Sequence, residues 1–550
     1  MKDIHKQLKN KSILLCPWGV DLKTNYQCRD WIPLFKKLFG RVIIFSPRSF
    51  YYKYGKDIMN KSFLNLVEKE KPDYILFTLS YEEFEIDTLL KVKELSPKTK
   101  VMNLFGDDEW RYDDWSRHYA LFFDYNFSSE YDVNDYYKDG ITNVRFLHGI
   151  SENYFKPLKL KKKFDVTFIG APIADRYDYI KYLKDNGIKL NLFGAGWHKY
   201  KDLEGIYGGF LDSEDFIKVI NESKINISFS KGAIPGSKGG QLKGRIFEVP
   251  SCKSFLLIEH FPQIIDFFRN KGETKKILFK DKKELLYKIK YYLKNEKERE
   301  RLENSFYHYV LKNYTWEAQF IDFFSKALNH KINFESIGLR ELAKNVVEIK
   351  TEEMDNIEKL KEKLKDAHYI SFNNGSTNLK YKNHFLLSAL EKSGKDIGCC
   401  DYYVHSNSLG DYLLFNTKKV LHTVSREDFN KLINISQLMV KKDFFLNNID
   451  KFNQALESGF DFVNEKNTIF VSIPLVRIKH INKINYESFV KAFNMRFIDK
   501  LYSLILQKNI FYSFYPYKLI IGSFLKGEIF ILKYIYEFAK NKETWDKLKK

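Results

Sequence analysis

The chain predicts an α/β protein: two Rossmann-like lobes in series, then a smaller α/β module and a helical C-terminal tail. Three observations predict it. From residue 12 to about 330, short apolar runs of strand length alternate with stretches of helical spacing. The runs read as strands buried on both faces, as in a parallel sheet covered by helices. Two of them, in Phe168-Ile-Gly-Ala-Pro and Leu192-Phe-Gly-Ala-Gly-Trp197, run straight into glycine turns.

In the first lobe, strands are expected at 12–16, 41–45, 73–77 and 100–105, with helices over 30–38, 62–70 and 84–95. The sequence Gly106-Asp-Asp-Glu-Trp-Arg-Tyr-Asp-Asp114 follows the last of these strands, at the end where such sheets bind ligands. Asp107 or Asp108 could act there as a base; binding an acceptor or capping the next helix are the other readings. Trp18 and Gly19, in the loop after the first strand, could face the same ligand. His148, close to the crossing between lobes, reads as a packed histidine more readily than as a catalyst. The basic linker 158–163 puts the first boundary at 157, so the first domain is expected over 1–157.

The second domain is expected over 158–330, with strands at 165–169, 189–193, 225–229 and 254–258. Its most informative stretch is Lys243-Gly-Arg-Ile-Phe-Glu248-Val-Pro, where a basic residue and a glutamate stand three apart on a helix start. Glycines for close backbone approach, an arginine for phosphate and a carboxylate for ribose hydroxyls suit a nucleotide diphosphate. Arg245 is the first choice for the diphosphate. Arg176, just after the Gly170 turn, is the second, and Lys231 or Lys238 in the Gly-, Ser- and Lys-rich loop 230–240 come next. For each lysine a solvated surface charge is the plain alternative, and for Glu248 a carboxylate at a helix start.

The order of these motifs resembles the donor-binding half of GT-B glycosyltransferases, specifically the group-one family that includes the spore-maturation CgeB-type proteins. The closing segments 281–293 and 297–302, and the Tyr314-Thr-Trp316 entry to a final helix, are similar to that family as well. The resemblance implies two facing lobes with a nucleotide-sugar between them. It implies a UDP- or GDP-sugar donor bound around Gly170, Arg176, Gly194, Lys231, Arg245 and Glu248, with no metal or other cofactor required. Glu248 matches the second glutamate of the family's paired-glutamate motif; the first falls on Gly240, which leaves the sugar contact and the stereochemical outcome open.

Residues 331–485 weakly resemble a family-two (GT-A) glycosyltransferase around 367–372, 396–404, 435–444 and 470–477. The metal-binding Asp-x-Asp of that family falls on Asn374, Gly375 and Ser376, and a hard cation needs carboxylate oxygens. A degenerate module and an unrelated α/β module both fit. The tail 486–550 is aromatic and basic, with 12 Lys or Arg against 5 Asp or Glu from Lys491 onward. An interfacial membrane helix, packing on the chain and a homo-oligomer contact are its open readings.

Composition sets limits. At 550 residues, 44% hydrophobic and 17% aromatic, the chain is long and apolar enough for several cores, and its composition argues against disorder. The net charge of +20 favours anionic partners, yet no nucleic-acid-binding signature occurs, so no nucleic acid is expected. Five cysteines in no disulfide or zinc pattern, and an N-terminus without an apolar core, give a cytoplasmic expectation, with peripheral contact at the inner membrane face left open. The function expected is sugar transfer from a nucleotide-sugar to a surface glycan, a lipid-linked intermediate or a protein. A non-catalytic binding or scaffold protein of a glycan-assembly complex is the alternative.

Overall fold

A computed structural model describes residues 2–478, apart from 18–24, 48–49, 51–53, 55, 80–82, 233–239, 269–270, 339–343, 375–376, 379–380, 407–409, 413–434, 459–462 and 464–466. Trp18, Gly19, Lys238, Gly375, Ser376 and the tail 486–550 therefore lie outside the described residues.

The front lobe holds six parallel strands: β1 (Ser12–Cys16), β2 (Arg41–Ile44), β3 (Tyr74–Phe77), β4 (Lys100–Phe105), β5 (Tyr125–Ser128) and β6 (Val144–Phe146), in the order β2-β1-β3-β4-β5-β6. β3 is buried at all four positions, as an apolar run with a helix layer on each face must be. The rear lobe holds five parallel strands: β7 (Phe164–Ile169), β8 (Leu190–Phe193), β9 (Ser223–Ser228), β10 (Leu256–Glu259) and β11 (Leu278–Phe279), in the order β11-β10-β9-β7-β8. In both sheets the winding reverses beside the lobe's first strand, between β1 and β3 and between β7 and β9. Loops leaving the carboxyl ends of those strands diverge there and open a crevice.

Two crossings join the lobes. Ile150 pairs with Thr315, its N–H donating to the Tyr314 carbonyl at 2.9 Å and its carbonyl accepting from Trp316 N–H at 3.0 Å. The Thr315 hydroxyl then caps the helix Trp316–Leu328 by accepting from Ala318 N–H at 3.0 Å. By sequence position this helix closes the second unit. Instead its apolar face, Trp316, Phe320, Phe323 and Phe324, packs into the front lobe against Trp31, Phe35 and Phe127, because the chain has already crossed back at Thr315.

Beyond residue 345 lies a third, mixed sheet of β12 (Val346–Lys350), β13 (Tyr369–Asn373), β14 (Thr377–Asn378), β15 (Ile397–Ser406), β16 (Gly410–Tyr412), β17 (Leu438–Lys441) and β18 (Thr468–Ile478). Its path runs β12-β13-β17-β15-β18-β14, with β16 on β15 and with β17 antiparallel to both of its neighbours. The helix Lys382–Ser393 fastens this module to the front lobe. Phe385 and Leu386 share one core with Trp115, Tyr119 and Phe122, and Tyr381 donates its hydroxyl to Asp87 at 2.5 Å.

Candidate active site in the interlobe cleft

The rear wall is built at the carboxyl end of β7. Gly194 has φ +123°, and a side chain on it would meet the Gly170 carbonyl oxygen at 2.5 Å. The close approach that these glycines permit is thus first of all to each other. Trp197 Nε1 and the Tyr207 hydroxyl take up the two turn carbonyls, of Gly170 at 2.5 Å and of Gly194 at 3.0 Å. Gly240, where the paired motif would have its first glutamate, has φ +115°, and a side chain there would meet Phe261 Cβ at 2.8 Å. Left-handed backbone against a buried ring explains a glycine at that position.

Arg245 opens the short helix Arg245–Ser251. Its Nη2 donates to the Ile169 carbonyl at the end of β7 at 3.3 Å, Nη1 pairs with Glu248, and the guanidinium lies 4.1 Å from the Phe216 ring centre. About a quarter of the side chain remains exposed. Arg176 clamps the neighbouring loops, donating from Nη1 to the Ala171 carbonyl and from Nη2 to the Lys231 carbonyl, both at 3.1 Å. Burial pulls Arg176 down to about 10; Glu259 opposes that and the nearby Arg245 adds to it. Nε of each arginine is buried without a hydrogen-bond partner. Lys231 is committed elsewhere: its ammonium pairs with Asp175 and, at 3.2 Å, with Glu259. Burial lowers its pKa, but those two carboxylates outweigh burial and hold it above the usual lysine value.

The front wall follows β4. Asp107 stands exposed at φ 60°, its N–H on Ser129 Oγ at 3.3 Å. Asp108 is turned inward and accepts three hydroxyls, from Ser116, Ser128 and Tyr136, each at 2.6 Å. Burial pushes its carboxyl up while the three hydrogen bonds pull it back. It ties the loop after β4 to the end of β5 and to the helix Asn134–Lys138, leaving Asp107 as the aspartate with an open carboxylate.

Between the walls lies a cleft of about 80 Å³, lined among others by Glu109, Glu130, Tyr131, Leu242, Phe261 and Gln263. Glu130 accepts from Gln241 Nε2 of the rear lobe at 2.6 Å, a bond that spans the cleft. Burial pushes the Glu130 carboxyl up to about 8, with Asp108, Glu109 and Asp107 adding to the rise and the Gln241 bond opposing it. Both carboxylate oxygens of Glu109 are buried and accept no hydrogen bond. Lys243, lowered by burial and held partly up by Glu109 and Glu130, is the nearby rear-lobe cation. Sequence reading did not single out Glu109, Glu130 or Gln241; Glu109 lay inside a quoted motif, and Glu130 follows a strand that was not anticipated. His148 is a packed side chain, stacked 4.1 Å from the Phe247 ring and pulled down to about 4 by burial.

Among the described residues, no group of three His, Cys, Asp or Glu side chains is placed to hold a metal, and no helix is long and apolar enough to cross a membrane.

Residues 176–325 match the family model described as glycosyl transferase-like. No curated protein matches the chain. Among solved structures, the chain is similar to a glycosyltransferase from Rickettsia africae ESF-5 (14% identity, TM-score 0.41, covering 58% of this chain and 98% of that one). It is also similar to Anabaena Alr3699/HepE in complex with UDP and glucose (9%, 0.40, 58% and 100%). A third is sucrose-phosphate synthase from Thermosynechococcus elongatus (11%, 0.42, 58% and 98%). A glycosyl transferase-like domain makes the chain an enzyme.

Proposed function

We propose that this enzyme transfers a sugar from a nucleotide-sugar to an acceptor hydroxyl, with the donor on the rear wall of the cleft and the acceptor on the front wall. In the reaction the bond from the anomeric carbon to the phosphate oxygen breaks and one to the acceptor oxygen forms. The hydroxyl proton passes to a carboxylate, and the nucleoside diphosphate leaves. The observation that carries the reading is the position of Arg245. Its guanidinium sits at the carboxyl end of β7, beside Arg176, with Glu248 on the same helix turn. Two arginines with spare N–H groups suit a diphosphate, whose developing charge they would offset without a metal. Glu248 would accept from the ribose. Asp107 suits the base by its open carboxylate, and Asp108 would position the loop. Lys231, already paired twice, is dropped from the phosphate contacts.

In the same proposal 1–157 is the acceptor-side domain, 158–330 the donor domain except for its last helix, Trp316–Leu328, which packs into the front lobe, 331–485 a degenerate GT-A-like module and 486–550 a docking tail. The family is the group-one, CgeB-like one, working in the cytoplasm, at times against the inner membrane face, on a surface glycan, lipid-linked or protein acceptor. The test is a melting scan of the full chain with UDP, GDP and their sugar conjugates. One nucleotide series should raise the melting temperature, and Arg245→Ala should weaken its binding by about tenfold to a hundredfold, the worth of a charge-assisted phosphate contact. A scan in which no nucleotide or nucleotide-sugar shifts the melting temperature would overturn the reading.

A further inference from the structure

The two walls of the cleft carry opposite charge. Lys243 on the rear side faces Asp107, Glu109 and Glu130 on the front side, Arg176 stands near Lys243 and Arg245 near Arg176, and of these six Glu109 and Glu130 line the cleft itself. None of these three acids is ion-paired among the described residues. A donor diphosphate neutralises cations only, so seating it leaves the front wall more acidic in net terms than before. Glu109 adds an independent observation: both its oxygens are shut off from water, with nothing donating to them. Lys243 offsets part of that charge, yet a buried carboxylate that accepts no hydrogen bond is costly unless a ligand supplies the donors.

We infer that the front wall is a subsite for a protonated amine on the acceptor, held by Glu109 and Glu130. The inference rests on the glycosyltransferase reading above and names the acceptor's chemical class. An ammonium brings a positive charge and three N–H donors, which match the two carboxylates that line this narrow pocket. Tyr131, beside Glu130, also lines the cleft. A neutral hydroxyl acceptor would leave the charge imbalance in place. Two sources supply such an amine, an aminosugar and a lysine side chain.

The experiment uses the full chain saturated with UDP or GDP and titrates three probes by calorimetry. These are methyl 2-amino-2-deoxyglucoside, its N-acetylated counterpart, and a short lysine-containing peptide, each with and without Mg²⁺. At least one amine probe should bind about tenfold tighter than the N-acetylated sugar, a ratio set by one charge-assisted contact. Glu109→Gln should erase that advantage, and Glu130→Gln should reduce it, while the melting shift given by the nucleotide stays as in the wild type. The sugar and peptide arms tell which source is used. Equal binding of amine and N-acetyl probes, no binding of either amine, an advantage that Glu109→Gln leaves intact, or one present with Mg²⁺ alone would each overturn the proposal. If no nucleotide shifts the melting temperature but the Glu109-dependent amine preference appears, the cation subsite stands and the sugar-transfer reading is what fails.

Discussion

The most informative single residue is Glu130, because its environment sets a measurable pH response. Burial, with Asp107, Asp108 and Glu109 adding to it, lifts its carboxyl from 4.5 to about 8 against the Gln241 bond; Lys243 faces it from the other wall. The folded protein therefore keeps a proton that the unfolded chain has released across that interval. The stabilising share of this proton is complete below the ordinary carboxylate range and is lost as pH rises to about 8. Glu130→Gln, an isostere of the protonated carboxyl that cannot titrate, should stay close to the wild type at pH 5 and be the more stable of the two by pH 8. Melting curves at the two pH values check this, and curves that stay parallel would contradict it. No local sequence pattern announces Glu130 or its partner Gln241. They stand 111 positions apart on different lobes and meet through tertiary packing alone.

At the scale of elements, what could be read in advance follows from how each strand is buried. Runs such as Ile13-Leu-Leu and Tyr74-Ile-Leu-Phe are apolar throughout, so their places in parallel sheets were legible. β5 was not, since Tyr125-Asn-Phe-Ser buries two polar side chains. Asn126 is fully buried and donates to the Ala120 carbonyl at 3.1 Å, while Ser128 is spent on Asp108. The Arg245 helix was legible from its spacing, whereas the engagement of Lys231 by Asp175 was not, as it depends on a contact between two loops. The helix Lys382–Ser393 offers a direct test of element packing. Phe385 is buried against His118, 4.8 Å between ring centres, and against Phe122. Phe385→Ala should cost roughly 3 to 5 kcal/mol of unfolding free energy and raise hydrogen exchange in residues 112–122 of the front lobe. Unchanged exchange there would mean that the module does not brace the acidic wall.

For the whole molecule, the decisive packing is around Trp316, where the chain re-enters the front lobe. Its ring stacks with Tyr26 at 5.6 Å and meets Trp31 edge-on at 5.1 Å; a side chain on Gly149 would come within 2.8 Å of it. Trp316→Ala should cost about 4 kcal/mol and broaden the distance distribution from small-angle X-ray scattering, because one of the two interlobe crossings loses its wedge. The Arg245 corner is elsewhere, so a folded fraction of that variant should still bind the nucleotide. A scattering curve superimposable on the wild type would refute the wedge. The fastening of the third module has a mechanical corollary. Tyr381 holds Asp87, and Arg117 reaches the Ser388 hydroxyl at 3.2 Å, so everything from β12 to β18 is ballast on the acidic side. In any motion of the two lobes relative to one another, the rear lobe is therefore the lighter body and the front lobe, with the third sheet fastened to it, the heavier one.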